Sequence, residues 1–281
     1  MRALALGALL MGCSTTAAQP PDDRESWGTL PLPAATCVGD GDGVIEAGEI
    51  APPEFSLHAR FVVNRPGVEV AVTDRWAPTV DAEGLMLDLA PQAMDAQWYA
   101  PRFPDAGFAG LLDSTEGTWG AWALGEDGLA LLGLATEDSG DTALRYSEPV
   151  LTIPLPMAVG DTWQHDVDAE GVVAGEPVPR DLGADGVISV VHRWGFSVEE
   201  RGVLAAPLGD LDTLRVRATV STELHNSSAG LIASDVQRVD LYVAECLGVV
   251  GRVRSRIDEP NPDFDVAVEV LLAGIVPELL P

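Results

Sequence analysis

Alternation with a period of two is the feature that most limits what this chain can fold into. The clearest run puts Leu214, Val216, Ala218 and Val220 on one side and Arg215, Arg217 and Thr219 on the other. Successive side chains of an extended strand point to opposite faces, so this pattern describes a strand with one face in the core and one in water. The same period runs through Leu57, Ala59, Phe61 and Val63, set against His58, Arg60 and Asn64, and through Val68, Val70 and Val72, set against Glu69 and Thr73. Further short strands are predicted at residues 85–89, 96–99, 118–124, 129–135 and 143–153. Longer ones are predicted at 187–199, 214–221, 236–243, 249–257 and 264–270, and a short helix at 104–112. Gly, Asp and Pro clusters at 81–84, 113–117, 126–128, 137–141, 209–210 and 258–262 supply the turns.

There is no fixed-period repeat and no sustained helical period, which excludes solenoids and bundles. The expectation is an all-β fold: an antiparallel sandwich or open half-barrel built on a large twisted sheet, with few short helices. Of 281 residues, 47% are hydrophobic and only 6% aromatic, a globular composition. The formal net charge is −28, and every basic side chain is Arg. That balance repels polyanions and excludes nucleic acid as a partner. It suits a solvated acidic surface, or one that gathers divalent cations.

Leu10-Met11-Gly12-Cys13, preceded by Arg2 and an apolar run over 3–10, resembles the lipobox of bacterial lipoproteins. The apolar run is too short to span a bilayer as a helix, and no later apolar run approaches 18 residues. The resemblance implies a lipoprotein signal peptide over 1–12, lipidation of Cys13 and a mature chain outside the cytoplasm. An ordinary signal peptide cut after Ala17-Ala18-Gln19 is the alternative. Ser14 follows the cysteine in place of Asp. Asp there is the inner-membrane retention signal of Gram-negative lipoproteins, so the resemblance implies sorting to the outer membrane. Residues 13–36 then form a Pro-rich tether (Pro20-Pro21, Pro31-Leu32-Pro33). Residues 37–54 hold a loop, and 55–281 a β domain, divisible into lobes at 55–155 and 156–281. Two cysteines remain, Cys37 and Cys246. In an oxidising compartment an even pair is expected to form a disulfide; two unpaired thiols are the other outcome.

The loop Cys37-Val38-Gly39-Asp40-Gly41-Asp42-Gly43-Val44-Ile45-Glu46-Ala47-Gly48-Glu49 resembles a calcium-binding EF-hand loop. Alternating Asp around a tight Gly turn gives hard Ca²⁺ the oxygens it needs. With Gly43 as the turn glycine, the ligands implied are Asp40, Asp42, the Val44 carbonyl, Glu46 and Glu49. The first ligand slot holds Val38 where the motif has Asp, and Pro31 and Pro33 occupy the place of the entering helix. Half an EF-hand is present. A Gly-Asp turn without metal fits the same residues.

Other constellations carry less. Arg215, Arg217, Arg238, Arg252, Arg254 and Arg256 form the one basic stripe. Cross-strand pairing with Asp263, Asp265 and Glu269 is favoured over an anion site. His58, His165, His192 and His225 lie too far apart for a zinc site, and no nucleophile elbow or phosphate loop occurs. Asp161, Asp166, Asp168 and Glu170 fit a solvated face. Trp119 and Trp122 fall on opposite faces of one strand, one in the core and the other a candidate cleft aromatic. No catalytic residue emerges. Together with Val159-Gly160-Asp161-Thr162-Trp163 and Ala244-Glu245-Cys246-Leu247-Gly248-Val249-Val250, the lipobox and loop make the chain similar to uncharacterised lipoproteins of myxobacterial type. The reading is a non-enzymatic, outer-membrane-anchored protein with a structural or binding role toward an envelope polymer or protein. The alternatives are a carboxylate-dependent hydrolase of envelope or extracellular polymer, and a lipid or lipoprotein carrier.

Overall fold

The computed structural model describes residues 37, 39–50, 60–63, 69–78, 85–88, 91–113, 116–136 and 141–274. The expected signal peptide and tether, with Cys13 and Ser14, lie outside the described residues, as do Val38 and His58. The fold is all-β. Its strands are β1 (Val44–Ile45), β2 (Arg60–Val63), β3 (Val70–Ala71), β4 (Leu85–Asp88), β5 (Gln92–Ala93), β6 (Phe108–Asp113), β7 (Thr118–Gly125), β8 (Gly128–Thr136) and β9 (Ala143–Pro154). They continue with β10 (Met157–Ala158), β11 (Thr162–Val173), β12 (Glu176–Val178), β13 (Arg180–Asp181), β14 (Val187–Ala206), β15 (Gly209–Asn226), β16 (Gly230–Ala244), β17 (Gly248–Ser255) and β18 (Val266–Gly274). Every pairing is antiparallel. β1 and β10 form a small ribbon; the other sixteen strands form one sheet, ordered β4-β2-β18-β17-β16-β15-β14-β11-β9-β8-β7-β6-β5, with β3, β12 and β13 on its margins. The sheet runs unbroken through both predicted lobes, joined where β11 pairs with β14 and β9.

The predicted strands from 187 onward are all present, and most are longer than expected. β14 has 20 residues and β15 has 18, against a usual 5–6. Strands that long cannot stay flat. Register shifts at Val198/Glu200, Leu224/His225, Tyr242/Val243 and Arg254/Ser255 mark bulges, which bend a sheet and increase its twist. The sheet therefore curls onto itself. Leu214, Val216 and Ala218 share one interior core with Phe196 and Val198 of the adjacent β14 and with Val167, Leu144 and Leu131 of β11, β9 and β8. It does not close as a ladder. Arg252 and Arg254 of β17 cross the interior instead. Arg252 Nη1 donates to the Leu111 carbonyl at 3.1 Å and Arg254 Nη2 to Asp113 Oδ1 at 2.7 Å, both on β6, eight strands away in the sheet order.

Three expectations change. Residues 108–112 are strand β6, not helix: the segment pairs with β7, and Gly110 facing Gly120 leaves room for the Trp122 indole, whose Nε1 donates to Gly110 O at 3.4 Å. Residues 96–99 are not a strand: Ala96 ends one short 3₁₀ turn, Met94–Ala96, and residues 97–99 link it to a second, Ala100–Arg102. The basic stripe is not one outward face. Arg252 and Arg254 point inward onto Glu269 (2.8 and 3.6 Å), whose side chain is 0% exposed. Arg215 and Arg217 lie on the opposite face, around Asp240, 1% exposed. There the segment 69–78 covers them, held by an Arg75–Asp240 ion pair, Trp76 packed edge-on to Tyr242 at 5.6 Å and Val72 N bonded to Asp265 O at 2.7 Å. Both faces of this part of the sheet are thus covered, so pairing expected at the surface is buried. Asp263 does pair, with Arg217, and Arg256 pairs with Glu259.

The described histidines are structural. His165 Nε2 accepts from Leu151 N at 3.2 Å and Trp163 Nε1 donates to Leu151 O at 2.7 Å, bridging β9 and β11 where their backbones part. His192 is buried against the Tyr146 hydroxyl at 2.9 Å; burial lowers its pKa to about 4 and raises that of Tyr146. His225 contacts Glu223. Asp166, Asp168 and Glu170 are exposed, and Trp119 is in the core. Among the described residues no helix is long and apolar enough to cross a membrane.

Candidate functional site: the N-terminal acidic loop

The loop at 39–50 is shaped first by its own Asp and Gly residues. Asp40 Oδ1 accepts from Asp42 N at 3.0 Å, and Asp42 Oδ1 from Val44 N at 2.7 Å. These are successive Asx turns, the conformations in which Asp competes with regular structure. Gly43 has φ +89°, a left-handed conformation that favours Gly, and the Arg201 guanidinium lies close over it. The chain then enters β1, which pairs with β10. This places Ile45 against Met157, and both, with Ile50, join the interior core. The apolar residue of the EF-hand-like pattern thus anchors the loop in the core.

Long-range contacts fix the loop from the other side. Cys37 and Cys246 are joined, with Cα atoms 5.6 Å apart, across a sequence separation of 209. Cys246 sits in the turn between β16 and β17, and its N–H bonds to Glu49 O. Its neighbour Glu245 accepts from Gly41 N at 3.0 Å. Arg201, on β14, donates through Nη2 to Gly41 O at 2.9 Å and through Nε to Asp212 Oδ1 at 3.0 Å. That hydrogen bond raises the Arg201 pKa and lowers that of Asp212; the charges of Glu245 and Asp42 raise Arg201 further.

The carboxylates that converge are Asp40, Asp42 and Glu245, with one oxygen from each inside a mutual 4.8 Å. Three hard anionic oxygens at that spacing can hold a divalent cation of the oxygen-preferring kind. Asp40 and Asp42 are exposed and Glu245 half-buried, so a bound ion would keep much of its water. Val44 lies in the β1 pairing. Glu49 is buried, and its two oxygens accept from Asp40 N at 3.2 Å and Glu46 N at 3.1 Å. Glu46 and Glu49 form a reciprocal cap on a 3₁₀ turn, Ala47–Glu49. The closing pair of the linear loop pattern is therefore used in shaping the backbone, and Glu245 stands over the loop from a distant hairpin. Sequence reasoning did not include Glu245 or Arg201. A signal for Glu245 existed: pairing Cys37 with Cys246 puts residue 245 beside Asp40.

Clefts among the described residues also lie elsewhere. One of about 490 Å³ runs over the outer face of β11, β14 and β15, lined by Thr162, Gln164, Gly195, Ser197, Arg217 and Thr219. Another, about 570 Å³, is lined mainly by apolar side chains, including Phe103, Leu124, Leu132 and Leu151, with Arg145 and Asp105 beside them. Fold and site together define an all-antiparallel curled-sheet protein whose N-terminal acidic loop is cross-linked to a distant hairpin. No protein-family model, no curated protein and no solved structure matches the chain.

Proposed function

We propose that the chain is an exported lipoprotein, anchored in the outer membrane through Cys13, and that its β body has a non-enzymatic structural or binding role in the envelope. Calcium, on this reading, steadies the loop where tether and body meet. The observation that carries the reading is the junction itself. Cys37, the first residue after the tether, is joined to Cys246 beside Asp40, Asp42 and Glu245. A disulfide persists in oxidising compartments and is rare in the cytosol, which agrees with the lipobox pattern at Leu10-Met11-Gly12-Cys13 and with Ser14 after it. A tether pulling on residue 37 would transmit force to β16 and β17 and leave the short β1 ribbon unloaded.

The test is fractionation of cells expressing the wild type and Cys13→Ala. Wild type should sediment with outer membranes, and Cys13→Ala should be soluble in the periplasm or retained as precursor. Identical fractionation of the two would remove the anchor. A second reading, a carrier of apolar ligands, draws support from the 570 Å³ apolar-lined cleft, which is within the usual size of small-molecule sites. It requires a fluorescent acyl probe to be displaced from wild type and not from Leu132→Arg.

A further inference from the structure

β16 is paired on both sides for only part of its length. Its contacts with β15 run from Leu214↔Val243 to Asn226↔Gly230, whereas β17 covers only Val239 to Ala244. Past that point the β17 side is capped for two more rungs. Arg238 N donates to Ser255 Oγ at 3.0 Å, Val236 N donates to Asp258 Oδ1 at 3.2 Å, and Asp258 N returns to Val236 O at 2.7 Å. Among the described residues, none pairs with 230–235 on that side. Strand alternation aims the Ser234 N–H and C=O outward, as it does those of Val236 and Arg238.

This open edge is lightly protected: a bulge at 231–233, opposite the Leu224/His225 register shift, and Asp235 at its end are what interrupt it. Natural edges carry Lys, Pro or inward charges that block further pairing. Here residues 227–234, Ser-Ser-Ala-Gly-Leu-Ile-Ala-Ser, contain no charge and no proline, in a chain that is 21% charged. All eight are exposed. Leu231 and Ile232, 54% and 47% exposed, are two of the few large apolar side chains left in water. The edge also stands at the far end of β16 from Cys246, ~50 Å away at about 3.3 Å per residue.

We propose that this edge of β16 takes up an extended segment of another polypeptide as an added strand, one that alternates apolar with cationic residues. Backbone pairing along 231–235 supplies the affinity, and Leu231 and Ile232, exposed at the bulge, offer apolar contacts beside it. The cationic character follows from charge. The chain carries −28, and the arginines at this end of the sheet already have partners: Arg193 has Asp166 and Glu223, Arg180 has Glu176, and Arg238, on β16 itself, donates to the Glu259 and Pro260 carbonyls. Long-range attraction favours a basic segment and opposes both an acidic one and a second copy of this chain.

The test uses the full chain and two capped fluorescent hexapeptides, one alternating arginine with valine and the other glutamate with valine. Anisotropy should show the cationic peptide binding at least about tenfold more tightly than the anionic one. Hydrogen exchange at residues 231–235 should slow on its addition. Ser234→Pro removes an outward N–H and should weaken binding about tenfold, the loss of one or two backbone hydrogen bonds. Ser234→Ala should stay within about twofold. If Ser234→Pro melts early, the exposed substitution Ile232→Arg serves instead: it should leave melting unchanged and weaken the cationic peptide about fivefold through like-charge repulsion. Equal binding of both peptides, protection located elsewhere, or insensitivity to both variants would overturn the proposal. So would self-association in sedimentation that protects the same amides without peptide, which would make a second copy the occupant.

Discussion

Replacing Glu269 by alanine tests whether the sheet is held in its curled form by buried charge. Glu269 is fully buried and lies 2.8 Å from Arg252 Nε and 3.6 Å from Arg254 Nη2. Arg254 keeps Asp113, so the guanidinium most affected is that of Arg252, whose side chain is 13% exposed. Stripping one partner from a buried ion pair costs about 3–5 kcal/mol, because the remaining charge stays desolvated and uncompensated. With Arg252 also bonded to the Leu111 carbonyl, the lower end, about 3 kcal/mol, is expected. Urea unfolding followed by tryptophan fluorescence measures it. At a slope of about 3 kcal/mol/M, the midpoint should fall by about 1 M. A paired replacement, Arg252→Met with Glu269→Leu, should recover most of the loss, since well-packed apolar residues often equal a buried ion pair. A midpoint change under about 0.3 M for Glu269→Ala would mean that water reaches the seam and that the curl does not depend on it.

Three further outcomes follow from the loop and the core. Cys37→Ser with Cys246→Ser opens a loop of sequence separation 209, a loss of up to ~5 kcal/mol in the chain-entropy model; an unchanged melting temperature would contradict the clamp. Calcium at 10 mM should stabilise wild type by about 1.4 kcal/mol for a dissociation constant near 1 mM. Glu245→Gln should abolish that gain and Glu46→Gln should preserve it, and the reverse pattern would restore the linear loop as the ligand set. His192 is held near a pKa of about 4 by burial, below its ordinary 6.5. Between those values the unfolded state binds the extra proton, so stability is greatest above pH 6.5 and falls as pH drops toward 4. His192→Gln should flatten the pH 4–6.5 profile relative to wild type; parallel profiles would show that His192 is hydrated in the native state.

The strands were legible where one face is buried. Leu214, Val216 and Ala218 alternate with polar residues because β15 has a core on one side, and they lie in that core. Strand lengths were less legible. The first residues of β16 extend past the core, where neither face needs a consistent apolar pattern, and the β14–β15 hairpin end packs in a second core around Leu204 that local period did not reveal. The segment around Phe108 could not be assigned by period, because a short apolar run fits a strand or a helix equally well. What decided it was tertiary: the Gly110–Gly120 gap under Trp122. The Arg stripe was legible as ion pairing but not in direction, because Arg252 and Arg215 face opposite sides of a sheet covered on both. At the site, Asp40 and Asp42 were legible as neighbours in a turn. Glu245 and Arg201 reach the loop only through the Cys246 turn and β14, more than 150 residues away, and local spacing cannot show that.

The central proposal is that the chain is exported, lipid-anchored at Cys13 and clamped to its β body at Cys37. The most direct measurement is non-reducing peptide mass spectrometry of the protein purified from native membranes. The account predicts a mature N-terminal peptide that begins at Cys13 and carries acyl chains, together with a cross-linked pair of peptides containing Cys37 and Cys246. An N-terminus elsewhere with unmodified Cys13, and both other cysteines recovered as free thiols, would contradict it.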